Sequence, residues 1–178
     1  MWAANNVGSW HALFVATGHE ERIKRALDKH FDDQLKFIIP KRELKERKAG
    51  KWHLVKRYLF PGYILLKGKV TVETYYRLKQ IPVLTRLLKN EDGPLEIEKN
   101  EIEVIKKLIC NDDGHIGISI AYKINDRVKI ISGPLAGLEG YIQSVDKKHG
   151  RAKVSLRFLG EPRTVQLGID IVDKANVS

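Results

Sequence analysis

Helical periodicity runs through the first 110 residues of this chain and then stops. Before that point, apolar side chains recur three and four residues apart. Residues 20–31 place Ile23, Ala26, Leu27 and Phe31 on one face, with acids early and bases late, as a helix dipole favours. Residues 72–79 predict a short helix that stops before Pro82. Residues 99–109 repeat Ile102, Ile105, Leu108 and Ile109, a third amphipathic helix. After residue 120 no such face exists. Residues 127–131, 140–145, 153–158 and 163–167 read as short strands, split by Gly133-Pro134, His149-Gly150 and Gly160-Glu161-Pro162. Short strands at this spacing predict a small, strongly bent β-barrel.

The first part also contains strands. Residues 10–17 and 35–40 are short apolar runs, and 83–88 is a third. Residues 52–66 give two strand-like pieces around Phe60-Pro61-Gly62, and 41–51 is polar and reads as an exposed hairpin or loop. The order β-α-β-β-α-β-α predicts an α+β domain, an antiparallel sheet with flanking helices. Residues 111–120 are polar at first, hold two glycines and predict no element. We therefore expect three parts: a domain over 1–110, a linker over 111–120 and a barrel over 121–178.

Charge is the next constraint. Lys and Arg exceed Asp and Glu by 10 over the 178 residues. Much of this is one segment. Lys36, Lys41, Arg42, Lys45, Arg47, Lys48, Lys51, Lys56 and Arg57 stand against only Glu43 and Glu46. A local basic patch points toward polyanions, nucleic acid before anionic membrane. Cations release counterions from phosphates, and Trp52, His53 and Tyr58 lie among them, suited to stacking on unpaired bases. The alternative is a solvated charged loop.

Several classes are set aside. Cys110 is the single cysteine, so no intrachain disulfide and no cysteine-based zinc site can form, and a reducing cytoplasm is expected. The first residues lack the basic start and continuous apolar core of a signal peptide. No apolar run reaches membrane-spanning length. His11, His19, His30, His53, His115 and His149 are scattered without metal spacing, and Gly133–Gly140 lacks a P-loop's Lys-Ser/Thr. Glu96, Glu98, Glu101 and Glu103 read as solvated carboxylates on or before an exposed helix. No catalytic residue, metal or cofactor is expected, and the chain is expected to be a monomer.

Two motifs carry a family resemblance. The stretch from Asp126-Arg127-Val128 through Gly133-Pro134 to Gly140 resembles a KOW motif, a strand, a Gly-rich loop and a second strand. Upstream, Leu59-Phe60-Pro61-Gly62-Tyr63-Ile64-Leu65-Leu66 and Trp10-His11-Ala12-Leu13-Phe14-Val15 resemble the N-terminal domain of the NusG family of transcription elongation factors. The resemblance spans residues 9–175. The basic segment and the stretch from Leu159 to Leu167 resemble the specialised LoaP branch.

The resemblance implies a non-enzymatic factor that suppresses pausing and termination. It implies an apolar surface docking on the clamp helices of the largest subunit of RNA polymerase. Carried across, that surface is Trp10, Phe60, Pro61, Tyr63, Val83 and Leu84, which otherwise read as core. It implies a second polymerase contact at Thr71 and Thr74, which equally read as a helix N-cap. The barrel would bind ribosomal protein S10 or the termination factor Rho through Leu135, Leu138, Phe158 and Leu159, or use these as its own core. The LoaP branch implies a nascent RNA hairpin as the nucleic acid, and related paralogues the non-template DNA strand. A housekeeping adaptor coupling polymerase to Rho or the ribosome, and a ribosomal-type RNA-binding protein, are the rival readings.

Overall fold

The structure is a computed structural model, and it describes residues 8–31, 34–81, 86–87, 89–90, 93–94, 96–109, 111 and 113–174. These residues pack into two compact units, each built from two stretches of chain. Unit 1 holds residues 1–40 and 60–98, and unit 2 holds 41–59 and 99–178.

Unit 1 is a four-stranded antiparallel sheet with helices. Its strands are β1 (Trp10–Phe14), β2 (Lys36–Ile38), β5 (Tyr63–Lys67) and β6 (Arg86–Leu87), in the order β2-β5-β1-β6. β1 pairs with β5 from Trp10 opposite Lys67 to Phe14 opposite Tyr63. Helix α1 (Glu20–Phe31) buries Ile23, Leu27 and Phe31, the face that its spacing predicts. Helix α2 (Val72–Lys79) is capped by Thr71 and buries Leu78. A small ribbon joins β7 (Lys89–Asn90) to β8 (Gly93–Pro94). The core is Leu13, Ile64, Leu65 and Leu66 from the sheet against Ile23, Leu27 and Phe31.

Unit 2 is mostly β. β3 (Lys41–Lys48) and β4 (Lys51–Tyr58) form a long hairpin, and β9 (His115–Ile116) adds to β3 in parallel. Ala49 and Gly50 close the hairpin at φ 50° and 78°. Two consecutive positive φ values match the right-handed twist of the strands. Helix α3 (Lys99–Leu108) buries Ile102, Ile105 and Leu108. A five-stranded sheet follows, in the order β11-β10-β14-β13-β12: β10 (Ser119–Ile124), β11 (Arg127–Ser132), β12 (Ile142–Asp146), β13 (Arg151–Phe158) and β14 (Glu161–Val172). β14 spans 12 residues. It pairs antiparallel with β13 through Gly168, then parallel with β10 from Ile169. This change of partner bends the sheet around Ala152, Val154, Leu156, Phe158, Leu167 and Ile169.

The structure corrects three expectations. Residues 111–120 do carry elements, β9 and the start of β10. β9 pairs with β3, far away in sequence, and Ser119 at the start of β10 pairs with Ile169 of β14, while the rest of β10 also forms a local hairpin with β11. β14 starts at Glu161 and runs through Pro162, because Leu159 and Gly160 alone make the turn, at φ 55° and 78°. Glu101 is not solvated but buried, while Glu96, Glu98 and Glu103 are exposed.

Gly168 shows why unit 2 holds together. A Cβ there would lie 2.5 Å from the Glu43 carbonyl oxygen and 2.8 Å from Ile118 Cγ1. Only glycine lets β3 approach β14 this closely.

Candidate functional site

The Phe60-Pro61-Gly62 turn of unit 1 is built around a buried carboxylate. Glu20, in the first turn of α1, has no exposure. Its Oε2 accepts from the Gly18 N–H at 2.7 Å and its Oε1 from the Gly62 N–H at 2.8 Å. The Gly62 carbonyl accepts in turn from Val15 N–H at 2.9 Å. Gly62 sits at φ +83°, and a Cβ would lie 3.2 Å from Thr17 Oγ1 and 3.3 Å from the Val15 carbonyl. The turn is therefore rigid, and it presents Pro61 outward.

The expected polymerase-contact residues do not all share that surface. Pro61 is exposed and Tyr63 half-buried, its ring edge-on to Phe14 with centroids 5.5 Å apart. Phe60 and Trp10 are buried, 3% and 7% exposed, and Lys67 Nζ lies 5.8 Å from the Trp10 ring centroid. Val83 and Leu84 lie outside the described residues. Thr71 is the cap of α2, accepting from Thr74 N–H at 3.1 Å, and the two hydroxyls lie 2.8 Å apart. Beside them α2 exposes Val72 and Tyr76, one turn apart.

In unit 2 the basic segment is a ribbon. The tip, Arg47 to Leu54, is exposed throughout, with Trp52 51% and Leu54 62% exposed. Cross-strand register puts Trp52 opposite Arg47 and Leu54 opposite Lys45. Apolar and cationic groups thus alternate on one face, as a base-stacking surface requires. Lys48 and Lys51 face each other at the turn, and His53 is exposed opposite Glu46.

Toward its base the ribbon is engaged. Lys45 Nζ meets both Asp170 carboxylate oxygens at 2.6 and 2.9 Å. Arg57 makes two bonds to Glu46, at 3.0 and 2.7 Å. Bonding to Arg57 holds the Glu46 carboxyl below the usual glutamate range, and that carboxylate raises Arg57. Lys41 and Lys56 border a cavity of about 220 Å³ with Asn111, Asp113 and His115. Lys36, expected among these cations, lies exposed on β2 of unit 1.

The four expected partner-binding leucine and phenylalanine positions divide. Leu135, Leu138 and Phe158 are buried, and Leu159 is half-exposed at the β13–β14 turn. That turn is fixed by Glu101. Its carboxylate accepts from Leu159 N–H at 3.0 Å and Gly160 N–H at 2.9 Å, with Arg157 Nε 4.0 Å away. Sequence reasoning missed Glu20, Glu101 and Arg151. An acid in the first turn of a helix is the one signal that marks the two glutamates.

Among the described residues, no group of three His, Cys, Asp or Glu side chains gathers at a metal-binding distance. No described helix is long and apolar enough to cross a membrane. A turn clamped by a buried carboxylate and a cationic β-ribbon with an exposed tip are the two surface features that the described residues bring out.

The chain belongs to the NusG family, whose description is transcription termination factor nusG and which matches residues 8–106. It is similar to the transcription termination/antitermination protein NusG of Rickettsia prowazekii, 29% identical over 97% of this chain and 93% of the relative. The Bacillus subtilis protein of the same name is 26% identical over 93% and 98%. A solved structure described as domain interaction in Thermotoga maritima NusG covers 90% of this chain and 93% of its own, with a TM-score of 0.54 and 23% identity. That likeness supports the fold.

Proposed function

We propose that this protein is a NusG-type transcription termination/antitermination factor, non-enzymatic, that binds RNA polymerase through unit 1 and nucleic acid through the β3–β4 ribbon. The observation that carries the nucleic-acid reading is the ribbon itself. It bears eight Lys and Arg residues and exposes Trp52 at its tip. A flexible solvated loop would not hold paired strands over eight residues each. The polymerase reading rests on the family and on the clamped turn that presents Pro61 and Tyr63. Thr71 and Thr74 would add the second polymerase contact, and residues 121–178 would act as a KOW domain, with Leu159 the exposed member of its partner surface. Division of the chain into 1–110, 111–120 and 121–178 belongs to this proposal as a division of roles.

In the specialised form of this reading the ribbon recognises a leader RNA hairpin. A housekeeping adaptor is the second reading, favoured by relatives named termination/antitermination proteins that align over more than nine-tenths of their length. Single-round transcription by bacterial RNA polymerase separates them. The template carries the candidate leader hairpin ahead of a terminator, with a hairpin-scrambled control. Read-through raised only on the intact template supports the specialised factor. Equal change on both templates supports the adaptor, and no change on either overturns the polymerase assignment. If about five phosphates are contacted, nucleic-acid affinity falls by more than about 100-fold between 50 and 200 mM salt.

A further inference from the structure

Among the described residues of unit 2, Arg42 has no carboxylate within ion-pair distance. It lies on β3, the middle strand of its sheet, with Arg57 opposite on β4 and Ile116 opposite on β9. Its Nε is shut off from solvent and has no hydrogen-bond partner. Burial first, then repulsion from Arg151 and Arg57, lowers its basicity. Arg57 is held by Glu46. Arg151, the first residue of β13, donates Nη1 to the His149 carbonyl at 3.1 Å and Nη2 to the Lys45 carbonyl at 2.7 Å. Carbonyls are neutral, so among the described residues the three guanidinium groups have a single bonded carboxylate between them, Glu46 on Arg57. Like charges directly opposite on paired strands repel, and a desolvated charge is stable only when paired. An arriving anion removes both penalties.

We propose that Arg42, Arg57 and Arg151 form a binding site for a phosphodiester group of a nucleic-acid backbone. This rests on the reading of the ribbon as a nucleic-acid surface and deepens it. It names the phosphate ligands and adds Arg151, which lies outside the basic segment. Guanidinium forks match pairs of phosphate oxygens. The register places the exposed Lys48 and Lys51 on the same face of the ribbon as Arg42 and Arg57, where they supply the further contacts that a continuous phosphate backbone needs. An isolated carboxylate would not use them.

The test uses the full chain. Fluorescence anisotropy measures binding of a labelled RNA hairpin, a single-stranded DNA of the same sequence and a polyglutamate peptide, between 50 and 200 mM salt. Arg42→Gln, Arg151→Gln and the charge-matched control Lys107→Gln are compared. We expect Arg42→Gln and Arg151→Gln to lose about tenfold or more in nucleic-acid affinity and to flatten the salt slope by about one. Lys107→Gln should change affinity less than about twofold. Among the described residues the Arg42 guanidinium makes no hydrogen bond or ion pair, so its replacement keeps the fold. Indeed, Arg42→Met should raise the melting temperature without ligand, where a structural role would lower it. Inorganic phosphate, against chloride at equal ionic strength, should raise the melting temperature of the wild type and not that of Arg42→Met.

Nucleic acid bound equally by Arg42→Gln overturns the site while leaving the ribbon reading intact. Stabilisation by phosphate through Arg42, with no nucleic acid bound by the wild type, overturns the ribbon reading and the phosphodiester assignment together. Polyglutamate bound as tightly as RNA overturns the choice of ligand.

Discussion

Glu20 and Glu101 occupy matching places in the two units. Each stands in the first turn of an amphipathic helix, is buried, and accepts two backbone N–H groups from turns that include glycine. They differ in what they join. Glu20 takes one donor from its own approach loop, Gly18, and one from Gly62 42 residues away. Glu101 takes both from a single turn 58 and 59 residues away. Glu20 has no ion pair within 4.0 Å among the described residues, whereas Glu101 has Arg157 at 4.0 Å. A carboxylate can thus serve as a fixed internal staple, as in unit 1, or as a clasp on a partly hydrated turn, as in unit 2.

The largest expected effect tests this contrast directly. Glu20→Ala leaves the buried Gly62 donor without an acceptor and should cost about 2–4 kcal/mol. Glu101→Ala frees donors that water can reach and should cost about 1–2 kcal/mol. Thermal unfolding of both variants checks the order, and equal losses would break the comparison. A middle-sized effect comes from the turns. Gly62→Ala combines a positive φ with contacts at 3.2 and 3.3 Å and should cost about 2–3 kcal/mol. Gly160→Ala has a positive φ but nothing within 4 Å and should cost about 1 kcal/mol. Urea denaturation midpoints would sharpen the difference, and reversal of the two would refute it.

The smallest effect concerns an exposed carboxylate. The Glu46 carboxyl is lowered by Arg57, so its contribution is present above the ordinary glutamate pKa of about 4.3 and is lost as pH falls through the lowered value. Wild type and Glu46→Gln should therefore differ slightly in melting temperature at pH 6 and converge near pH 3. A gap that widened in acid would contradict the pairing.

Much of the fold was legible because it is local. The spacing of Ile23, Leu27 and Phe31 specifies α1 whatever it packs against. The polar segment 41–51 reads as an exposed hairpin or loop; it forms the first strand and the turn of a hairpin whose second strand runs to Tyr58, with Leu44 buried. Residues 115–124 were not readable as strands. Ile116 and Ile120 alternate with glycine and serine, and β3 and β14, which pair with them, lie far off in the chain; only the β10–β11 hairpin is local. For the candidate sites, charge located the ribbon, but burial divided the apolar residues. Phe60 and Pro61 are neighbours of similar hydrophobic character, yet one is core and the other surface.

The sequence by itself determined the three helices, the change to β structure after residue 110 and the concentration of positive charge between Lys36 and Arg57. Each depends on side chains a few residues apart, where the period of the backbone alone decides the face. Only the tertiary structure decided that Glu20 and Glu101 are internal acceptors and that Arg151 joins Arg42 and Arg57. Those roles depend on backbone donors and charges brought together across 40 to more than 100 residues. No local pattern encodes such meetings, because they exist only once strand pairing has closed the chain on itself.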